Sequence, residues 1–162
     1  MRPWRRCPQW KRSYSLNELM ENRHGILIDL RLLEATGTAE RDASIGMLHK
    51  TVPGTRRVTA GTDKGYDTKD FVAECRHLVV TPHVAQNLSA RHRSAIAART
   101  TGTEGYGLSQ RARKRIEEIG GWMRTVGNFR KTRLRGRERT LMGTYFVGAA
   151  YNLMQMARLA AA

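Results

Sequence analysis

The chain has 162 residues, enough for one domain with a real core. It carries 29 Lys and Arg against 14 Asp and Glu, a net charge of +15, which favours polyanionic partners, nucleic acid first and an anionic membrane second. Two cysteines, Cys7 and Cys75, exclude a disulfide framework and fit a reducing, cytoplasmic setting.

Residues 1–12, MRPWRRCPQWKR, have no strand or helix period and lack the apolar run of a signal peptide. They read as a poorly packed segment foreign to the rest of the chain, with a DNA-contacting arm as the alternative. Residues 14–21 and 25–33 read as a hairpin, with Asn22 and Gly25 supplying turn chemistry. Asp29 lies in the second strand, where a polar-face position explains it better than catalysis. Thr38 is expected to cap a helix running to about His49, with Ala43, Met47 and Leu48 inward. Glu40 and Asp42 suit the dipole of its first turns. Pro53 and Gly54 make a turn.

Residues 57–62 form a short strand candidate ending at Asp63. Asp67 or Thr68 then caps a helix with Phe71, Val72 and Cys75 on its inner face. Residues 78–80 read as another short strand, stopped by Thr81 and Pro82. Residues 83–108 show no clean period and read as a long mobile loop.

Residues 109–124, SQRARKRIEEIGGWMR, read as one helix with Ser109 as N-cap. Ala112, Ile116, Ile119 and Met123 make an apolar stripe, and Arg113, Glu117, Gly120 and Arg124 a neighbouring one. Glu117 between two arginines suits an acid presented beside a bound polyanion. The simpler reading is an i, i+4 surface pair of Arg113 and Glu117 worth a few tenths of a kcal/mol. Residues 130–139, RKTRLRGRER, hold six cations, including Arg130, Lys131, Arg133 and Arg135, and such a run touches phosphate or stays solvated. The last helix, residues 140–159, is expected to bury Leu141, Tyr145, Phe146, Ala149, Ala150 and Leu153. Its apolar part is short for a membrane span and includes Asn152, so a core helix explains it better.

The order of elements implies an α/β or α+β sandwich with a mixed sheet. Two carboxylates stand apart by context: Asp63 at a strand end and Glu117 on an arginine-flanked helix. Acids from separate elements are what a Mg²⁺ or Mn²⁺ site acting on a phosphodiester needs, because hard cations take oxygen ligands. Two such ions, about 3.5–4 Å apart, stabilise both the attacking and the leaving oxygen of an in-line displacement.

The blocks ENRHGILIDLRLLEATGTAERDA, GTDKGYDTKDFVAE, TPHVAQN, SQRARKRIEEIGGWMRTVGNFRKTR and AAYNLMQM, in this order, resemble the C-terminal half of bacterial insertion-sequence transposases of the Asp-Asp-Glu type. The resemblance runs from about Leu19 to the C-terminus. It implies an RNase H-like mixed sheet flanked by helices, and Mg²⁺- or Mn²⁺-dependent cutting and rejoining of DNA ends. The family's second Asp falls on Asp63 and its Glu on Glu117. The signature around that Glu is a Tyr, an Arg, the Glu and a Lys. Here Arg113 and Glu117 match, while Gln110 replaces the Tyr and Arg124 the Lys. Arginine keeps the charge but changes the geometry of phosphate contact.

The family's first Asp lies on a strand upstream of the hairpin, and nothing before Tyr14 is acidic. The chain therefore reads as a truncated, frame-shifted or late-start catalytic domain over residues 13–162, with its first strand missing. The expected partners are DNA, at element ends and target, and a second copy or a full-length transposase. The contrasting expectation is a non-catalytic basic DNA-binding remnant that interferes with a complete enzyme.

Overall fold

The computed structural model describes residues 14–52, 57–89 and 93–161. The expectations for residues 1–12 and for the turn at Pro53 and Gly54 lie outside them.

The hairpin forms as the sequence implies. Strands β1 (Tyr14–Glu21) and β2 (Ile26–Glu34) pair antiparallel from Tyr14 opposite Glu34 to Glu21 opposite Ile26, with a bulge between Leu19 and Met20. Helix α1 (Ala39–Thr51) buries Ala43, Met47 and Leu48. Its first turn is served by Thr36, whose hydroxyl accepts from the Ala39 amide at 3.1 Å, while Thr38 makes no side-chain cap.

Strand β3 (Val58–Thr62) leads into a 3₁₀ turn, Lys64–Tyr66, and helix α2 (Lys69–His77). Thr68 caps α2 by accepting from the Phe71 amide, and Phe71, Val72 and Cys75 are buried. Strand β4 is Val80–Val84, later than the expected residues 78–80. Leu78 and Val79 instead make the turn out of α2, with Val79 at φ 60°, a conformation costly for a β-branched residue. Pro82 sits inside β4, opposite Ala60. Among the described residues β4 pairs with β3 alone, which leaves an edge where a residue without an N–H costs no ladder bond.

The strands form two separate two-stranded sheets, β1-β2 antiparallel and β3-β4 parallel, in place of the single mixed sheet expected. Helices cover both faces of each. Leu19 packs into a core with Leu48, Phe71, Val72 and Val84, whereas Leu16 and Met20 pack with Leu27, Ile119, Met123 and Tyr151. Side chains alternate across a strand, so these cores lie on opposite faces. α1 and α2 cover the first face. The other is covered by α4 (Glu104–Ala112), α5 (Arg115–Thr125) and α6 (Arg137–Ala160).

The expected loop of residues 83–108 is largely ordered. It contains the short helix α3 (Ala98–Thr101) and the start of α4, which Thr103 caps by accepting from the Tyr106 amide. Residues 109–124 are not one helix, and Ser109 is not its cap. α4 ends at Ala112, and the amides of Lys114, Ile116 and Glu117, across the junction and into the first turn of α5, bond three residues back. The reason is that the segment serves two sheets. Tyr106 and Gln110 bond to the Val84 and His83 carbonyls of β4, while Ile119 and Met123 bury against the hairpin.

α6 turns a different face inward from the one expected. Thr140, Thr144, Gly148 and Tyr151 are buried, while Tyr145, Phe146, Ala149, Ala150 and Leu153 are exposed. Small residues win because β2 comes so close: a Cβ at Gly148 would stand 2.8 Å from Leu27 and 2.9 Å from Leu30. No helix among the described residues is long and apolar enough to cross a membrane.

Candidate functional site

Asp63 follows β3 directly and is exposed. One of its carboxylate oxygens accepts from the Lys64 amide and so opens the 3₁₀ turn. Its neighbour in sequence, Asp67, is a structural group. Buried to 1 % exposure, it accepts from the amides of Asn87 and Ala95, both at 2.8 Å, and fixes the connection between β4 and α3.

Glu117 is exposed in the first turn of α5. It lines the same cleft as Asp63, a hollow of about 290 Å³ between β1, β3, α1 and the α4–α5 junction. Arg113 stands at that junction and lines the cleft too. The backbone of β3 passes close beneath it, because Gly61 has no side chain: a Cβ there would meet the Ser109 carbonyl at 3.2 Å and the Arg113 Cβ at 3.5 Å. Arg113 is also held from the side. Its Nε donates to Gln110 Oε1 at 2.8 Å, and Gln110 Nε2 donates to the His83 carbonyl at 2.6 Å. The residue that stands in place of the expected Tyr thus orients the arginine. His83 is buried and its ring is 2.7 Å from the Ser109 hydroxyl; burial lowers its pKa, so the ring stays neutral.

A third carboxylate, Glu18 on β1, borders this cleft and is missing from the sequence-based expectations. Burial pushes its carboxyl up to about 7, and the nearby Arg124 guanidinium only partly opposes this. The signal was present in the alternation Leu16, Glu18, Met20, an acid in a row whose other members are core residues.

Glu18 and Glu117 also border a larger hollow of about 920 Å³, which Arg124 and Arg130 line as well. Arg130, Lys131 and Arg133 surround the next hollow, and Arg135 borders one beyond it. All five cations are exposed, and among the described residues none forms an ion pair. A basic margin therefore runs from the cleft along the loop between α5 and α6.

Asp29 does not belong to this site. It is buried on β2, accepts from the Leu30 amide at 2.9 Å and lies 3.6 Å from Lys50 Nζ and 4.0 Å from Arg31 Nε. The expected polar-face position is thus an interior one, compensated by two cations.

Asp63 and Glu117 are oxygen donors of the kind that Mg²⁺ or Mn²⁺ takes. They fall short in number: among the described residues no group of three or more His, Cys, Asp or Glu could hold a metal ion. What the arrangement offers by itself is an oriented guanidinium beside two exposed carboxylates, with a cationic margin along one side. Comparisons with models of known protein families, with characterised proteins and with solved structures returned no match for this chain.

Proposed function

We propose that this chain is the DNA-handling part of a transposase catalytic domain of the Asp-Asp-Glu type, with an RNase H-like fold. The observation that carries this reading is the meeting of Asp63 and Glu117, from separate elements, at one cleft beside the tethered Arg113. Arg113 would take a phosphate oxygen at the cleft, in an orientation set through Gln110 rather than by free rotation. Arg124, Arg130, Lys131, Arg133 and Arg135 would take the flanking backbone without reading sequence. A divalent cation would supply charge stabilisation at the cleaved phosphodiester. The described donors do not suffice to hold it, so these residues are expected to bind DNA without cutting it. That shortfall is also what favours the second reading, a non-catalytic DNA-binding chain that competes with a complete transposase for DNA ends.

Binding to a duplex oligonucleotide, measured across a salt series, tests the shared part of both readings. The slope of log K against log[salt] should fall by about 0.9 for each phosphate contact removed. Changing Arg130, Lys131, Arg133 and Arg135 together to Ala should flatten it, and an unchanged slope would reduce the loop to a solvated surface. Nicking of supercoiled plasmid with Mg²⁺ or Mn²⁺ separates the readings from a third outcome. No nicking is expected from this chain. Nicking that disappears in Asp63→Ala but persists in Asp29→Ala and Glu18→Gln would mean that two carboxylates are enough.

A further inference from the structure

The cationic loop between α5 and α6 is held at both ends on one residue of α6. After α5, Asn128 takes φ 52° and the Phe129 amide donates back to the Met123 carbonyl at 2.9 Å. Gly127 rests on α6 here: a Cβ on it would stand 2.6 Å from a Val147 methyl. One turn earlier along α6 lies Gly143. A Cβ at this position would meet Leu134 Cδ1 at 2.7 Å and Phe129 Cε2 at 3.2 Å. The two side chains therefore lie over the same point of the helix, where only a residue without a side chain leaves them room. Leu134 is 43 % exposed, so its contact here is a clip at the surface and not part of a core. The Leu134 amide donates to the Thr132 hydroxyl at 3.0 Å, which bends the chain back toward α6. Gly136, at φ 88°, then turns it into the helix.

Between the two contacts stand residues 130–133, and three of these four are Arg130, Lys131 and Arg133. They border a hollow of about 860 Å³ whose lining comes from residues 128–134 alone. The loop thus arches over its own hollow, with its feet together on Gly143. The helix beneath is firmly placed. Asn152 of α6 clasps the outer edge of β2, donating to the Leu27 carbonyl at 2.8 Å and accepting from the Leu27 amide at 2.9 Å, as a neighbouring strand would. Gly148 presses α6 to the same strand.

We propose that Gly143 is a positioning residue for DNA binding: as the shared seat of Phe129 and Leu134 it holds residues 130–133 in a fixed arch, so that Arg130, Lys131 and Arg133 meet the phosphate backbone already ordered. The inference rests on the DNA reading and adds to it the residue that prearranges the cations. Released from Gly143, the same cations have to be ordered at each binding event, and the lost backbone and side-chain freedom weakens binding. Their number and charge do not change, so the count of counterions released does not change either. A positioning role therefore lowers affinity at constant salt slope, whereas loss of a cation flattens the slope.

Trypsin and a salt titration together test it on the full chain. Trypsin cuts after Lys and Arg, so residues 130–135 report on their own anchoring with no DNA present. In Gly143→Leu the new side chain fills the seat, and a helix takes leucine better than glycine, so α6 itself is retained. A second variant, Phe129→Ala with Leu134→Ala, removes the anchors and leaves the helix as it is. Both are expected to be cut within residues 130–135 severalfold faster than the wild type. Both should also bind a duplex oligonucleotide about tenfold more weakly, with the slope of log K against log[salt] unchanged. Cutting at the wild-type rate in both variants would overturn the anchoring. Faster cutting with unchanged affinity, or weaker binding with a flattened slope, would overturn the positioning role. Failure of the DNA reading looks different: the wild type would bind no better than the variant with Arg130, Lys131, Arg133 and Arg135 changed to Ala, whatever trypsin shows, and this inference would fall with it.

Discussion

The two small sheets reach stability by different means. The hairpin closes its core with apolar packing: Leu27, Leu30, Ile119, Met123 and Tyr151 meet where Gly148 lets α6 approach. The β3-β4 pair has strands of five residues each and adds a buried polar network to its core. Asp67 pins the chain after β4, Tyr106 donates to the Val84 carbonyl at 2.9 Å, and His83 meets Ser109. A short parallel pair buries little surface of its own, so its surroundings are fixed by directional bonds. The cleft lies between a wall set by packing and a wall set by hydrogen bonds, and substitutions in each should act differently.

The largest effect is expected from Asp67→Ala. It leaves two amides of a half-buried loop without their acceptor, at about 1–3 kcal/mol each. A loss of about 4 kcal/mol in urea unfolding is expected, with exchange in β3, β4 and α4 rising before that in the hairpin. Uniform loss across both sheets would mean that they are not distinct in this way.

Glu18→Gln should show an effect that depends on pH. The wild-type carboxyl is raised from 4.5 to about 7 by burial. Below pH 4.5 it is protonated in both folded and unfolded chains, and stability from this source is fully present. As pH rises through about 7 the unfolded chain ionises first and stability falls. Each pKa unit corresponds to about 1.4 kcal/mol, so with a discount for partial exposure the fall is about 2 kcal/mol. The Gln variant should match the wild type at pH 4 and exceed it at pH 8. Equal urea midpoints at both pH values would place Glu18 in water.

The smallest effects compare two helical glycines. Replacing Gly by Ala in a helix gains about 1 kcal/mol where space allows. Gly121 has nothing within 4 Å of an added Cβ, so Gly121→Ala should stabilise by that amount. Gly148→Ala forces Leu27 and Leu30 aside at about 1–3 kcal/mol, so it should destabilise by about 1 kcal/mol net. Thermal melts of the two variants should move in opposite directions.

The elements legible in the sequence were those whose pattern answers to one partner. α1 and α2 each bury one face, and the spacing of their apolar residues showed it, while the hairpin was marked by the turn residues between its strands. Residues 109–124 answered to two sheets and broke between them, which an apolar stripe running through Ala112 and Ile119 could not reveal. α6 misled in another way. Its large apolar residues remain outside, because the spacing of Thr144, Gly148 and Tyr151 fits the hairpin and size alone does not. For the site, the context of Asp63 and Glu117 was readable from strand end and helix edge. The tether of Arg113 through Gln110 was not, since it depends on a carbonyl of β4 that only the folded chain brings near. Glu18 escapes notice because an acid in a strand reads as an ordinary surface residue.

The clasp between Asn152 and Leu27 joins residues 125 positions apart. During synthesis the hairpin therefore emerges long before the helix that covers its outer edge. Closing so long a loop costs only slightly more entropy than closing a short one, but the contact cannot form until α6 has left the ribosome. Until then Leu27 and Leu30 lie open beside a bare strand edge, the condition under which nascent chains pair wrongly. α6 thus decides when this protein becomes safe from its own hairpin. Removing residues after Gly148 should shift the product from soluble chain to aggregate while leaving the site residues untouched.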